Sequence, residues 1–284
     1  MNTNSMLSPA SAVNESPRPA NFTRRTARLT AKFWRAGHWH LIPLYHFLRL
    51  SDLAREGIER SGSYRFADHL YQNRASGRLL IGRLLDRVLL NTQAARGMRD
   101  RCVRSTRHLK QRLEETPGDL RLLAIPCGIP RDVTRLHSRT QRLHYTAMDV
   151  DESVLAAARM HLEADAPGLL SRTAFIHGDA LNDLDFPEQP QDVIVSTGLG
   201  EFLDDAQLRT FYRNVFDSLA PGGTFYTSAT RREGGSDYLM QAFELHAHYR
   251  EQTDMQTLFA ELPWHTVEYD HDTTGLQTFI VARK

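Results

Sequence analysis

Asp149 closes the apolar run "LHYTAMD" and stands 21 residues beyond Gly128, the one glycine of "RLLAIPCGIPRDV". A glycine just after a strand lets backbone approach a bound molecule closely. A carboxylate about twenty residues later, at the end of the next strand, can accept hydrogen bonds from both hydroxyls of a ribose. Two further strand ends carry matching chemistry. "GDA" offers Asp179 as an acceptor for an adenine amino group, and "STGLGEFL" offers hydroxyls and flexible backbone at Thr197 and Gly198. An aspartate after a strand often only caps the next helix, but Asp151 is the better cap for "ESVLAAARM", which leaves Asp149 free. The order of these residues points to a nucleoside-bearing cofactor held beyond the carboxyl ends of a sheet.

The elements that would position them follow from the apolar pattern. After "TPGD" (116–119), short apolar runs alternate with helical segments. The strands are "LRLLAIP", "LHYTAMDV", "TAFIHGDA", "QDVIVSTG" and "GTFYTSAT". The helices between them include "RDVTRLHSR", "DESVLAAARMHLEAD" and "DDAQLRTFYRNVFDSL". This predicts an α/β fold with a doubly wound sheet. "DYLMQAFELHAHYREQTDMQTLFAEL" predicts one or two helices. "HTVEY" and "LQTFIVAR", joined around Asp272–Gly275, can only pair antiparallel, because a parallel return needs a longer crossover.

Upstream, residues 22–117 have helical spacing throughout, with Phe22, Leu29 and Phe33 as apolar positions of a basic first helix. Leu80, Leu84, Leu85, Val88 and Leu89 mark another helix. Residues 1–21 read as a disordered polar leader without the charged and apolar regions of a secretory signal. The expected division is thus leader 1–21, helical lid or substrate region 22–117 and cofactor-binding domain 118–284.

These segments resemble a known family. "LLAIPCGIPRDV", "AMDVDESVL", "IHGDALND", "DVIVSTGLGEFL" and "LAPGGTFYTSAT" are similar to successive motifs of class I S-adenosylmethionine-dependent methyltransferases. The resemblance covers roughly residues 119–284. It implies a Rossmann-like seven-stranded sheet with the last strand antiparallel, and S-adenosylmethionine as cofactor. "YQNRASGRLLIGRLLDRVLLN" looks like the N-terminal extension of some bacterial methyltransferases. By the resemblance, Pro126, Cys127 and Gly128 lie along the methionine moiety, and Asp149 binds the ribose diol. Val150 lies against the adenine, Asp179 and Ala180 contact its edge, and Thr197, Gly198 and Leu199 sit near the sulfonium. The first loop departs from the family, with Ala124 where an acidic residue is usual and prolines 126 and 130 where glycines are usual. Glu201, Tyr64 or Tyr71 could instead hold the cofactor's ammonium group, and Glu201 is also the candidate catalytic base. Pro130 breaks the dinucleotide fingerprint, which counts against a nicotinamide enzyme.

Methyl transfer from a sulfonium needs positioning and desolvation, with a base only where the acceptor must lose a proton. "STGLG" lacks the carboxylates of a metal-dependent catechol enzyme, and no D/N-P-P-Y/F tetrapeptide of base methylation is present. No metal site is expected. His38 and His40 flank Trp39 as an aromatic packing cluster, and His246 and His248 face different sides of a helix. Arg131, Arg231 and Arg232 would suit a carboxylate or phosphate on the acceptor.

Net charge is +1, yet residues 1–118 hold 21 of the 35 Lys+Arg and 9 of the 34 Asp+Glu, leaving +12 there and −11 in the remainder. The leading expectation is a small-molecule methyltransferase in the cytoplasm, two cysteines being too few for a disulfide framework. Alternatives are an RNA methyltransferase, a lipid methyltransferase whose "LIPLYHFL" lies in a membrane interface, and a non-catalytic cofactor-binding scaffold. Nucleic acid is disfavoured as partner because the aromatics read as buried in helices. Peripheral membrane contact stays open, and so does the oligomeric state.

Overall fold

The computed structural model describes residues 22–59, 63–136, 141–232 and 247–284. The expected leader 1–21 and most of the segment after the fifth strand, including His246, lie outside the described residues.

Six helices precede the sheet: α1 (Phe22–Arg35), α2 (Leu41–Leu48), α3 (Asp52–Glu59), α4 (Tyr64–Gln72), α5 (Leu79–Leu90) and α6 (Gln93–Glu115). Leu29, Phe33, Leu41, Tyr45 and Ile58 make a small core among α1, α2 and α3. "LIPLYHFL" spends Leu41 and Tyr45 inside the protein, while Pro43, His46 and Phe47 stay exposed. Ser63 and Thr92 cap α4 and α6 by accepting backbone N–H bonds from Arg65 and Ala95.

The α5 helix turns its expected face the other way. Gly82, Asp86 and Leu90 are its buried residues, while Leu80, Leu84 and Val88 are exposed. Two contacts fix this orientation. A Cβ on Gly82 would stand 2.1 Å from the Leu50 carbonyl oxygen, so only glycine permits the approach. The Asp86 carboxylate accepts from the Ser51 hydroxyl and from the backbone N–H of Leu53, Ser76 and Gly77. Those bonds compensate its burial.

The sheet then forms from β1 (Leu120–Ala124), β2 (Leu143–Asp149), β3 (Thr173–His177), β4 (Gln191–Ser196), β5 (Leu219–Thr230), β6 (Thr266–His271) and β7 (Gln277–Arg283). Their order is β3-β2-β1-β4-β5-β7-β6. The pairs among β1 to β5 are parallel, and β7 runs antiparallel to both β5 and β6. Connecting helices are α7 (Arg131–Thr134), α8 (Glu152–Asp165), α9 (Pro167–Leu170), α10 (Asp205–Ser218) and α11 (Gln252–Phe259). The helix expected over "RDVTRLHSR" is described only for its first turn, α7, and residues 137–140 lie outside the described residues.

Both faces of the sheet are covered, which is why its strands read as apolar runs without alternation. In β1, Leu120, Leu122 and Ala124 join the core beneath α6 and α8, whereas Leu123 joins the one beneath α10 and α11. Helix α6 buries Arg101, Cys102, Ser105, Leu109 and Leu113, a stripe at helical spacing that lies on the sheet. This stripe ties the N-terminal helices to the strand ends.

Candidate functional site

Strand β2 delivers Asp149 to the carboxyl edge of the sheet, and Asp151 caps α8 by accepting from the Ser153 N–H at 2.8 Å. Asp149 is thereby left buried at the strand end, its Oδ1 accepting from the Asp151 N–H at 3.1 Å. Burial pushes its pKa up to about 6, and backbone N–H groups of Asp151, Gly128 and Val150 partly oppose that rise. The Cys127 thiol lies 3.9 Å from Oδ2, and the Cys127 N–H donates to the Met148 carbonyl at 2.9 Å. Gly128 follows with φ +50°, a left-handed conformation, and a Cβ there would meet no atom within 4 Å. The first loop thus keeps open space directly beside the buried carboxylate. Pro126, in a cis peptide bond with Ile125, precedes it.

Beyond β2, Val150 is an exposed apolar side chain whose carbonyl oxygen lies 3.0 Å from His177 Nε2. Asp179 is half-buried, and its side chain accepts from the Leu181 N–H. Ala180 packs on the second core, and its carbonyl accepts from the Asn214 amide. Gly178 could not be replaced without moving Asp185 or Met148, whose atoms stand 2.8 and 2.9 Å from its would-be Cβ.

The strand-four loop is held from several directions. Gly198 has φ +91°, and a Cβ there would stand 3.0 Å from Arg101 Nη1. Glu201 is buried and ion-paired with Arg101, and its Oε1 also accepts from the Thr230 hydroxyl. Its Oε2 is buried with no hydrogen-bond partner among the described residues. Arg101 Nε donates to Gln277 Oε1 at 2.9 Å, and Gln277 is held in turn by Thr230. From the other side, buried Arg250 donates to the Gly200 and Leu203 carbonyls at 2.6 and 2.7 Å. Arg101, Thr230, Arg250 and Gln277 escaped the sequence reading, because residues up to 176 positions apart form this network and no local pattern joins them.

The remaining candidates fall into place as follows. Tyr71, on α4, lies within electrostatic reach of Arg101, Cys102, Asp132 and Glu201, and burial raises its pKa. Tyr64 packs against the first core. Arg131 is ion-paired with Asp68 of α4, Arg231 with Glu251, and Arg232 stacks over the Tyr249 ring. His38 and His40 make the expected edge-on aromatic contacts beside Trp39, with ring centroids 5.9 Å apart. Among the described residues, no helix is long and apolar enough to cross a membrane.

Residues 122–223 match the family model of the methyltransferase domain, and the 3-2-1-4-5-7-6 sheet is the class I arrangement. Residues 122–223 thus carry a methyltransferase domain, set in the class I fold. Similar solved structures bear the same fold. One, from Bordetella parapertussis and described as a "possible exported protein", is 19% identical with a TM-score of 0.76 and covers 92% of this chain and 95% of its own. Magnesium protoporphyrin IX methyltransferase of Synechocystis PCC 6803, with bound S-adenosylhomocysteine, is 12% identical with a TM-score of 0.53, covering 76% of this chain and 93% of its own. The methyltransferase SibL in its apo form is 15% identical with a TM-score of 0.55, covering 89% and 76%. No curated protein matches by sequence. In this methyltransferase domain, Gly128 and Asp149 lie side by side at the carboxyl ends of β1 and β2.

Proposed function

We propose that the protein methylates a small-molecule acceptor, with S-adenosylmethionine bound across the ends of β1, β2 and β4. The observation that carries this reading is the buried Asp149 carboxylate beside the open, left-handed turn at Gly128. Its Oδ2 is available for ribose hydroxyls, Val150 offers an apolar surface to the adenine, and Asp179 with Ala180 borders its edge. When bound, the cofactor supplies a methyl group already activated on a sulfonium. The chain's own residues orient the partners and exclude water.

At the methionine end, Pro126, Cys127 and Gly128 form the wall, and the unpartnered Glu201 Oε2 is the carboxylate that replaces the one missing at Ala124. Thr197, Gly198 and Leu199 line the transfer point. Tyr71 approaches from α4, with Tyr64 on the same helix, and together they form the acceptor side. A small acceptor suits this arrangement, since α4 reaches over the end of the first loop through Asp68–Arg131 and α6 over the strand-four loop through Arg101–Glu201. A polymer strand laid over the sheet edge would meet those helices first. Recognition of an anionic acceptor through Arg131 or Arg231 requires its negative group to take the place of Asp68 or Glu251. Comparing charge-neutral and anionic acceptor analogues tests that part. Two buried unpaired cysteines, Cys102 and Cys127, are at home in a reducing cytoplasm.

Calorimetric titration with S-adenosylmethionine and S-adenosylhomocysteine tests the reading. Both ligands should bind, and at about a hundredfold excess over Kd should stabilise the fold by about 2.7 kcal/mol. Asp149→Ala should abolish the effect while leaving a folded protein. No binding of either ligand would sink the proposal in favour of a scaffold.

A further inference from the structure

The exposed face of α5 has no role in the methyl-transfer site, yet it concentrates apolar surface where a helix of this kind should hide it. Leu80, Leu84 and Val88 follow one another at four-residue intervals and are 82%, 60% and 58% exposed; Ile81 beside them is 53% exposed. At 100° per residue these four span an arc of roughly 100°. Arg83 and Arg87 border that arc, both exposed and neither ion-paired among the described residues. The opposite side of the helix is fixed to the protein by the Gly82–Leu50 approach and the Asp86 hydrogen bonds, so the face cannot simply rotate inward. A contiguous apolar patch that the fold actively holds in water marks a docking surface.

We propose that this face docks on an anionic lipid bilayer, the leucines entering the acyl boundary and the arginines meeting phosphate headgroups. Charge complementarity decides between the occupants. The single carboxylate of α5, Asp86, is buried and committed, so the face presents cations only. A second copy placed face to face would set arginines against arginines. An anionic bilayer supplies both the apolar layer and the opposite charge that such a face requires. The surplus of +12 on residues 1–118 adds a long-range attraction of the same sign.

The test is co-sedimentation of the full chain with mixed phosphatidylcholine–phosphatidylglycerol vesicles and with pure phosphatidylcholine vesicles. Binding should be confined to the mixed vesicles and should weaken with added salt. Arg83→Gln with Arg87→Gln should lower partitioning by about fivefold per arginine. Leu80→Glu with Leu84→Glu should remove binding, while Leu184→Glu, at an apolar residue 85% exposed elsewhere, should leave it unchanged. Thermal melts of each variant should match the parent, because none of these side chains is buried. Equal binding to both vesicle types, or binding indifferent to the α5 variants, overturns the proposal. So does sedimentation velocity that shows a dimer lost in Leu80→Glu/Leu84→Glu without vesicle binding, which would assign the face to a second copy.

Discussion

With Asp149 on the cofactor's ribose, as proposed, the affinity for S-adenosylmethionine should depend on pH in a window that this carboxylate shares with the histidines. Its pKa in the free protein is about 6 because burial disfavours the charged form. Ribose hydroxyls donate to the ionised carboxylate, so binding selects that form and releases the proton from any protonated Asp149. At pH 5 about one molecule in eleven carries the charge, and at pH 7 about ten in eleven do. The Kd should therefore fall about tenfold between pH 5 and pH 7. The sign is opposite for the empty protein's stability. The folded pKa lies above the ordinary carboxylate value of 3.8, so the folded state binds more protons than the unfolded state between about pH 4 and pH 6. Stability from this group is thus lost as pH rises through that window. Titration calorimetry across the window, on wild type and Asp149→Asn, measures both the slope and its source. The variant should bind roughly 10- to 150-fold more weakly at pH 7, the cost of hydrogen bonds to a charged group, and should lack the wild-type slope. A wild-type Kd flat between pH 5 and pH 7, or the same slope in Asp149→Asn, would refute the reasoning.

Two further outcomes concern the loops around the site. Arg101→Met strands the buried Glu201 carboxylate and should cost about 3–5 kcal/mol, lowering Tm by roughly 6–20 °C; adding Glu201→Gln should recover most of it, and a loss below about 1 kcal/mol in differential scanning calorimetry would contradict the buried pair. Gly128→Ala should cost about 1–2 kcal/mol for its left-handed backbone, yet weaken S-adenosylmethionine binding at least about tenfold, because its methyl would fill space that a ligand approaches; calorimetry on both properties separates the two effects.

The doubly wound sheet was legible from local pattern, and the resemblance of its strand-end motifs supplied the methyltransferase fold. Apolar runs ending at or just before Asp149 and Asp179, the Asp151 cap and the short return at Asp272–Gly275 each depend on neighbours within a few residues, and the strands formed within a few residues of where the pattern placed them. The strand-end position of Asp149 is likewise a matter of local order along the chain. The network that holds the strand-four loop was not legible in that way. Arg101 was one arginine among many on a basic helix, and only the packing of α6 across β4, β5 and β7 brings it to Glu201.

Helix α5 shows the same division most sharply. Its apolar periodicity says that a helix forms and that one face is leucine-rich, but periodicity is silent on which face meets the protein. That choice fell to Gly82, whose missing side chain admits Leu50, and to Asp86, whose four donors come from Ser51, Leu53, Ser76 and Gly77. Hydrogen bonds and close approach between distant segments are properties of the assembled chain. The sequence by itself thus determined the succession of strands and helices along the chain, the terminal antiparallel return and the carboxylates at the strand ends, because these follow from spacing and turn chemistry. Tertiary structure alone decided the partners of Glu201 and the outward turn of α5, because both depend on contacts between residues that are near only once the chain has folded.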